Sequence, residues 1–340
     1  EIIERIGAGG MSVVWKGHDA LLDRTVAVKE LRVDGDEDDG LRERFRREAS
    51  IQKSLAAGDE RLIELIDFIE EDRGLFIVME YVDGPSLEQL LQGDQSALDE
   101  RQALGIVAGT ARALQYLHAE GVVHRDLKPS NILLPLQGGI RICDFGLATL
   151  LEDQEQMSSG SVRYMAPEMF TNDAVDGRAD LYALGIIAYE ILAGREKFEQ
   201  AFRLVLRDQR NQALRWMKWH TNPRAAAPPL NELNPQIDQT LSDLISRLME
   251  KDRTVRINSA EELIQAIRLH FSSTGKKQAA SRAADLEAAK QRAAASTEAV
   301  AEQATATLPK RSKLPLYLGG FLVLNLVILL GVFVFYENQQ

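Results

Sequence analysis

A single cysteine, Cys143, in 340 residues excludes any intrachain disulfide and suits a reducing compartment. It ends the apolar run Ile140–Cys143 just before Asp144, so it reads as a packing residue rather than a reactive thiol. Positive charge is also short. Forty Lys and Arg against 51 Asp and Glu leave a net charge of −11, which speaks against the basic face that a nucleic-acid surface needs. From Ser272 to Lys313 large apolar side chains almost vanish and no heptad replaces them, which excludes both a core and a coiled coil there. That stretch reads as an Ala-rich linker, partly helical in its Ala-Glu-Lys section. The chain opens on Glu1 rather than Met, already inside what reads as a first strand. A few preceding residues are expected, and no N-terminal targeting sequence is legible.

What is present is enough apolar material, 45% of residues, for one two-lobed domain of about 270 residues plus appendages. Its centre is His124-Arg125-Asp126-Leu127-Lys128-Pro129-Ser130-Asn131, followed by Asp144-Phe145-Gly146. Two acids and an amide, spaced by five and then thirteen residues, suit a phosphoryl-transfer centre. One carboxylate orients an attacking hydroxyl, while the amide and the second carboxylate hold magnesium against phosphates. Ile132-Leu133-Leu134 reads as a short strand, Gly138-Gly139 as a turn, and Ile140–Cys143 as a return strand. Such a hairpin brings Asp126, Asn131 and Asp144 to one end.

Upstream, Gly7-Ala8-Gly9-Gly10-Met11-Ser12-Val13-Val14 lies between two strand patterns, and glycine there lets the backbone approach phosphate oxygens. Val26-Ala27-Val28-Lys29 follows as a third strand. After the acidic tract Asp34–Asp39, Leu41, Phe45, Glu48 and Ile51-Gln52 fall near one helical face, so Glu48 is expected to point inward. Leu75–Tyr81 is a strand entering Met79-Glu80-Tyr81-Val82-Asp83-Gly84. Ser86 with Gln89 reads as a capping box, and Asp99 with Gln102 opens a long helix with the core stripe Leu104, Val107, Ala111, Leu114 and Leu117. His118 on that helix reads as structural. Ser259 with Glu262 caps a last helix ending near Phe271. No pattern organises Phe198–Pro235, where Trp216 and Trp219 read as core or interface residues.

Together these motifs resemble the eukaryotic-like (Hanks-type) protein kinases, in particular the bacterial serine/threonine branch, over Glu1 to about Phe271. The resemblance implies an α+β, bilobal protein kinase fold with a β-rich N-lobe and a helical C-lobe. It implies that Asp126 is the catalytic base, that Lys128 neutralises the γ-phosphate, and that Asn131 and Asp144 bind the metal. Lys29 would contact the α- and β-phosphates and pair with Glu48. Ile6, Gly7, Gly9, Val14, Ala27, Met79, Glu80 and Val82 would surround the nucleotide, with Met79 as gatekeeper and the backbone of Glu80 and Val82 on the adenine edge. The implied cofactors are ATP and Mg2+, with Mn2+ as a substitute. Lys128 and Gly160-Ser161 favour Ser and Thr substrates, hence a non-specific serine/threonine protein kinase. In the family, Asp180 bonds the catalytic-loop backbone and Arg256 pairs with Glu168 of Ala166-Pro167-Glu168. Asp180-Leu181-Tyr182-Ala183-Leu184-Gly185 departs from the family pattern by carrying Tyr and Ala for Trp and Ser, a change expected to affect packing only.

Leu314–Tyr336 is apolar except for Asn325, and as a helix of roughly 35 Å it would cross a bilayer. Lys310, Arg311 and Lys313 precede it and only Glu337–Gln340 follow, so the positive-inside bias predicts a single-pass anchor with a cytoplasmic kinase domain. The reading is therefore a kinase domain over 1–271, a linker over 272–313, a span over 314–336 in the cell (inner) membrane and a short outer tail over 337–340. Protein substrates, self-association for autophosphorylation and a partner phosphatase go with it; nucleic acid does not. A pseudokinase would lack one of Lys29, Asp126, Asn131 or Asp144, and none is missing. A small-molecule kinase is not expected to carry Ala166-Pro167-Glu168. For switching, three readings stay open: Glu152, Asp153 or Glu155 pairs with Arg125, Ser158 or Ser159 is autophosphorylated, or the acids merely solvate the loop, with phosphorylation favoured for its greater charge. Thr149 and Ser161 are the other hydroxyls of that segment.

Overall fold

The computed structural model describes residues 1–8, 12–31, 39–71, 74–93, 98–145, 159–171 and 173–274. Some helix side chains, including those of Phe45, Glu48 and Ser159, also lie outside that description. So do Gly9, the acidic tract up to residue 38, the stretch 146–158 that holds Ser158 and the acids, and everything from residue 275, with the linker, span and tail read there. Among the described residues no helix is long and apolar enough to cross a membrane.

The first lobe is an antiparallel sheet in the order β1-β2-β3-β5-β4. Its strands are β1 Ile2–Ala8, β2 Ser12–Asp19, β3 Arg24–Leu31, β4 Leu65–Glu71 and β5 Gly74–Glu80, with helix α1 Asp39–Ala56 between β3 and β4. Gly7 lies opposite Val14, Val14 opposite Lys29, Lys29 opposite Ile77, and Ala27 opposite Met79. Directly opposed residues of antiparallel strands share a face, so one face carries Gly7, Val14, Ala27, Lys29 and Met79 together. Ala27, Leu65, Leu75, Ile77 and Met79 form the core of this lobe with Ala49 of α1, and Val14, Val82 and Cys143 pack against it. On the inward side of α1 Gln52 is buried, as expected, together with Ala49 and Leu55, whereas its neighbour Ile51 is 41% exposed.

The second lobe is helical. Helix α2 (Leu87–Gln92) and helix α3 (Glu100–Ala119) begin with the two expected capping boxes, each closed in both directions. The α3 stripe Leu104, Val107, Ala111, Leu114 and Leu117 is fully buried. The predicted hairpin is present as β6 Ile132–Leu133 and β7 Arg141–Ile142, with Gly138 and Gly139 at φ +93° and +82°, which side chains would strain. After the short helix α4 (Ser159–Val162), α5 (Arg178–Ala193) runs through the centre of the lobe, buried from Ala179 to Ala193 because Leu, Ile, Ala and Tyr occupy almost every position.

The unpatterned region resolves into α6 (Arg195–Ala201), α7 (Arg203–Leu206), α8 (Gln212–Thr221) and α9 (Leu230–Leu233). Trp216 is the fully buried hub, with Phe202, Trp219 and Phe198 rings at 4.9, 5.8 and 6.4 Å. Trp216 is thus core, where truncation to Ala costs about 3–5 kcal/mol, and Trp219, partly buried, packs against it. Helix α10 (Gln239–Leu248) precedes the last helix, α11, over 260–274, which continues past Phe271. Ser259 caps it through the Glu262 amide at 3.2 Å, but the Glu262 carboxylate returns to the amide of Asn258, at 3.0 Å, not to that of Ser259. Arg256 and Glu168, both buried, pair through two bonds of 2.7 and 3.0 Å.

Candidate active site

Beyond α3 the chain turns at Gly121, φ +76°, and enters the His124–Asn131 loop. One buried carboxylate shapes that loop. Asp180 of α5 accepts the amides of His124 at 2.9 Å and Arg125 at 2.8 Å, and its Oδ2 also meets His118 Nε2 at 2.8 Å. Arg125 is thereby held at φ +65°, a conformation that costs a non-glycine residue about 1–2 kcal/mol. His118 is structural, as read, but its partner was invisible in the sequence. Gly177 faces it, where a Cβ would lie 2.6 Å from the imidazole.

The strained turn presents Asp126. Lys128 Nζ donates to Asp126 Oδ2 at 2.7 Å and to Ser161 Oγ at 3.0 Å, tying the loop to the segment before Ala166. Asn131 Nδ2 donates to the Asp126 carbonyl at 2.9 Å and reaches Oδ2 at 3.4 Å. With its NH2 group so committed, the Asn131 side chain keeps its oxygen as an acceptor, which the Ser130 hydroxyl meets at 3.5 Å.

Asp144, at φ +59°, follows β7. Lys29 Nζ of β3 donates to its Oδ1 at 2.6 Å across 115 residues. Burial opposes the charge on both. The opposite charge outweighs it in each case, holding Lys29 above its ordinary range and Asp144, with help from Lys128 and His124, below the usual carboxylate range. Phe145 is buried, and its carbonyl accepts from Gln52 Nε2 of α1 at 2.6 Å. Gln52, which helical spacing put on the inward face, thus ties α1 to the Asp144 segment, a partner that spacing could not name. Cys143 is half-buried, and burial, with Asp144 adjacent, pushes its thiol far above the thiolate range, as a packing role requires.

Between the lobes, Met79 is buried and the Glu80 amide is already bonded to the Glu64 carbonyl at 3.0 Å. Only the carbonyl of Glu80 can therefore serve an adenine edge. The Glu80 carboxylate is raised by burial, against Arg141, whose Nε reaches it at 3.0 Å. Gly84 passes so close to the second lobe that a Cβ would stand 2.0 Å from the Leu134 carbonyl oxygen. The structure thus brings together the Lys29–Asp144 pair and the Asp126–Lys128–Asn131 group, linked by the Cys143 amide donating to the Asn131 carbonyl at 3.1 Å, and Lys29 shares its sheet face with Gly7, Val14, Ala27 and Met79. Ile6 sits instead at a β-bulge between Arg5 and Gly7 and is 39% exposed. Gly9 and the Glu48 side chain are outside the described residues.

A five-stranded lobe, a helical lobe and this network between them are the architecture of a protein kinase domain. Residues 1–267 match the protein kinase domain family, and the chain belongs to it. It is similar to the serine/threonine-protein kinase PrkC of Bacillus subtilis, 34% identical over 279 residues, covering 80% of this chain and 40% of the relative. It is also similar to the serine/threonine-protein kinase PknB of Mycobacterium leprae, 37% identical over 207 residues, covering 58% of this chain and 33% of the relative. The chain thus spans 40% or less of the length of these two relatives.

Proposed function

We propose that this chain is a serine/threonine protein kinase that transfers the γ-phosphate of ATP to Ser and Thr hydroxyls of proteins. The observation that carries the reading is Asp126, fixed at 2.7 Å from Lys128 and bonded through its carbonyl to Asn131, beside the Lys29–Asp144 pair. In this reading Asp126 orients the substrate hydroxyl and accepts its proton, while Lys128 balances charge that develops on the transferred group. Ser161, bonded to Lys128, lines the side from which the hydroxyl approaches. Lys29 exchanges Asp144 for phosphate oxygens. Val14, Ala27, Met79 and the main chain at Glu80 and Val82 hold the base.

Magnesium fits the residues present. Among the described residues no three His, Cys, Asp or Glu cluster to hold a metal unaided. The Asn131 amide oxygen and the Asp144 carboxylate are instead a sparse, hard oxygen set, of the kind that holds Mg2+ jointly with substrate phosphates and water, and Mn2+ suits the same donors. When bound, the metal supplies charge neutralisation to the phosphates.

The run Leu314–Tyr336, with Lys310, Arg311 and Lys313 before it, supports a single membrane anchor that keeps the kinase domain on the cytoplasmic side. A coil-like linker of this length reaches on the order of 35 Å, which would favour membrane-proximal substrates. Autophosphorylation within a self-associated pair, reversed by a partner phosphatase, completes the proposal. The test is incubation of the chain with labelled ATP, Mg2+ and casein beside an Asp126→Asn control. Label in casein with wild type and not with the control is expected; equal labelling by both would overturn the assignment. Recovery of the full chain in the soluble fraction after lysis would remove the anchor.

A further inference from the structure

Two residues of the second lobe do more than pack. Tyr182 of α5 replaces the Trp of the family pattern, and its hydroxyl stands 2.8 Å from Nδ1 of His220 on α8. Nε2 of the same ring stands 3.0 Å from the main-chain carbonyl of Arg163. Both side chains are fully buried. A carbonyl can only accept, so Nε2 carries the proton, Nδ1 carries the lone pair, and the Tyr182 hydroxyl donates to it. One tautomer alone satisfies all three groups. The ring is clamped between Trp216 at 5.4 Å and Phe170 at 6.0 Å, both stacked, with Tyr182 edge-on at 5.5 Å. Burial also keeps the imidazole neutral, pushing it down to about 3.

Arg163 lies two residues after Ser161, the partner of Lys128, and its neighbours are pinned as well. The Arg163 guanidinium reaches Glu190 Oε1 at 3.0 Å, and the Tyr164 hydroxyl donates to Glu190 Oε2 at 2.8 Å. Asp180, Tyr182 and Glu190 all belong to α5. One end of this buried helix therefore grips the amides of His124 and Arg125 beside Asp126, while Tyr182, through His220, grips the main chain of Arg163. The helix acts as a ruler between the two.

We propose that Tyr182 and His220 are positioning residues that set the Ser161–Tyr164 segment against Asp126 and so govern docking of the protein substrate, not of ATP. The inference rests on the kinase reading above. Misplacement of a reacting group by about 1 Å costs up to about a hundredfold in rate, which gives the relay its leverage.

The test uses full-length chains carrying His220→Leu, His220→Gln or Tyr182→Phe. Measurements are KM for casein, KM for ATP, and hydrogen exchange of the amides of residues 161–166. His220→Leu is expected to raise the casein KM about tenfold, leave the ATP KM within about twofold and speed exchange across the segment. A glutamine amide can donate to the Arg163 carbonyl and accept from Tyr182, so His220→Gln should restore both readouts. Tyr182→Phe, which removes one hydroxyl and retains the ring, should give a smaller shift of the same kind, and it decides the matter if His220→Leu does not fold. Parallel rises in the casein and ATP KM, unchanged exchange in Tyr182→Phe and a folded His220→Leu, or a glutamine no better than leucine would overturn the relay. Absence of phosphotransfer in the wild type would instead overturn the kinase reading, and the exchange measurements would still decide whether the relay positions the segment.

Discussion

Lys29 Nζ and Asp144 Oδ1 lie 2.6 Å apart, with 10% and 30% of their side chains exposed. The cation proposed for the phosphates and the carboxylate proposed for the metal neutralise each other across the cleft. Nucleotide entry therefore exchanges one charge-assisted contact for others and leaves neither charge bare. Lys29→Ala and Asp144→Ala are both expected to lower kcat/KM at least about a hundredfold, as loss of a preorganised charge does. Circular dichroism should show the fold retained in each, and magnesium-dependent ATP binding should weaken more in Asp144→Ala.

Asp126→Asn retains the side-chain shape and removes the base. The expected loss is about 10²–10⁴ in kcat, the usual scale of general-base catalysis. ATP affinity, measured by titration, should stay within about twofold, since the lost group faces the attacking hydroxyl rather than the nucleotide.

His220 predicts a sensitivity of stability to acid. Its folded value, about 3, lies below the ordinary 6.5, because burial excludes the charged form. The groups around it are Tyr182, the Arg163 carbonyl, and the Lys251 ammonium, which bonds the Trp219 and Asn222 carbonyls and which burial lowers to about 8. The unfolded chain thus binds a proton here that the folded chain refuses. This contribution is complete above pH 6.5 and is lost as pH falls toward 3, with a slope of up to about 1.4 kcal/mol per pH unit. Urea unfolding at pH 7 and pH 5 should show a smaller drop in His220→Gln than in wild type. An equal drop in both would locate the acid sensitivity elsewhere.

Two ion pairs in the second lobe should behave differently on truncation. Arg256 and Glu168 have side chains 0% and 5% exposed, so Glu168→Ala leaves a buried guanidinium without its counter-charge and should cost about 3–5 kcal/mol in urea unfolding. Asp176, held at about 2 chiefly by its bond to Arg178, is 45% exposed. There solvent screens the pair, and Asp176→Asn should cost less than about 1 kcal/mol. The Asp176 contribution is present above the ordinary carboxylate value and fades as pH falls toward 2.

The features legible in the sequence were those spelled by short spacing. Ser86 and Gln89, Asp99 and Gln102, and the Gly138-Gly139 turn each close within a few residues, so local geometry alone determined them. The order Asp126, Asn131, Asp144 likewise predicted a shared end, because one hairpin connects them. The Glu262 carboxylate shows where even local reading stops, since it chose the amide of Asn258 over its neighbour's. Tertiary structure decided the long-range partners. Gln52 meets the Phe145 carbonyl across 93 residues, Asp180 meets the His124 amide across 56, and His220 meets the Arg163 carbonyl across 57. The apolar composition of α5 accounts for the burial of Tyr182 but cannot say whether a hydrogen-bond acceptor waits there. That depends on how α8 packs on α5, and Trp216, Phe198 and Phe202 set that packing. Their contacts are hydrophobic and non-directional, so they leave no fixed spacing in the sequence to read.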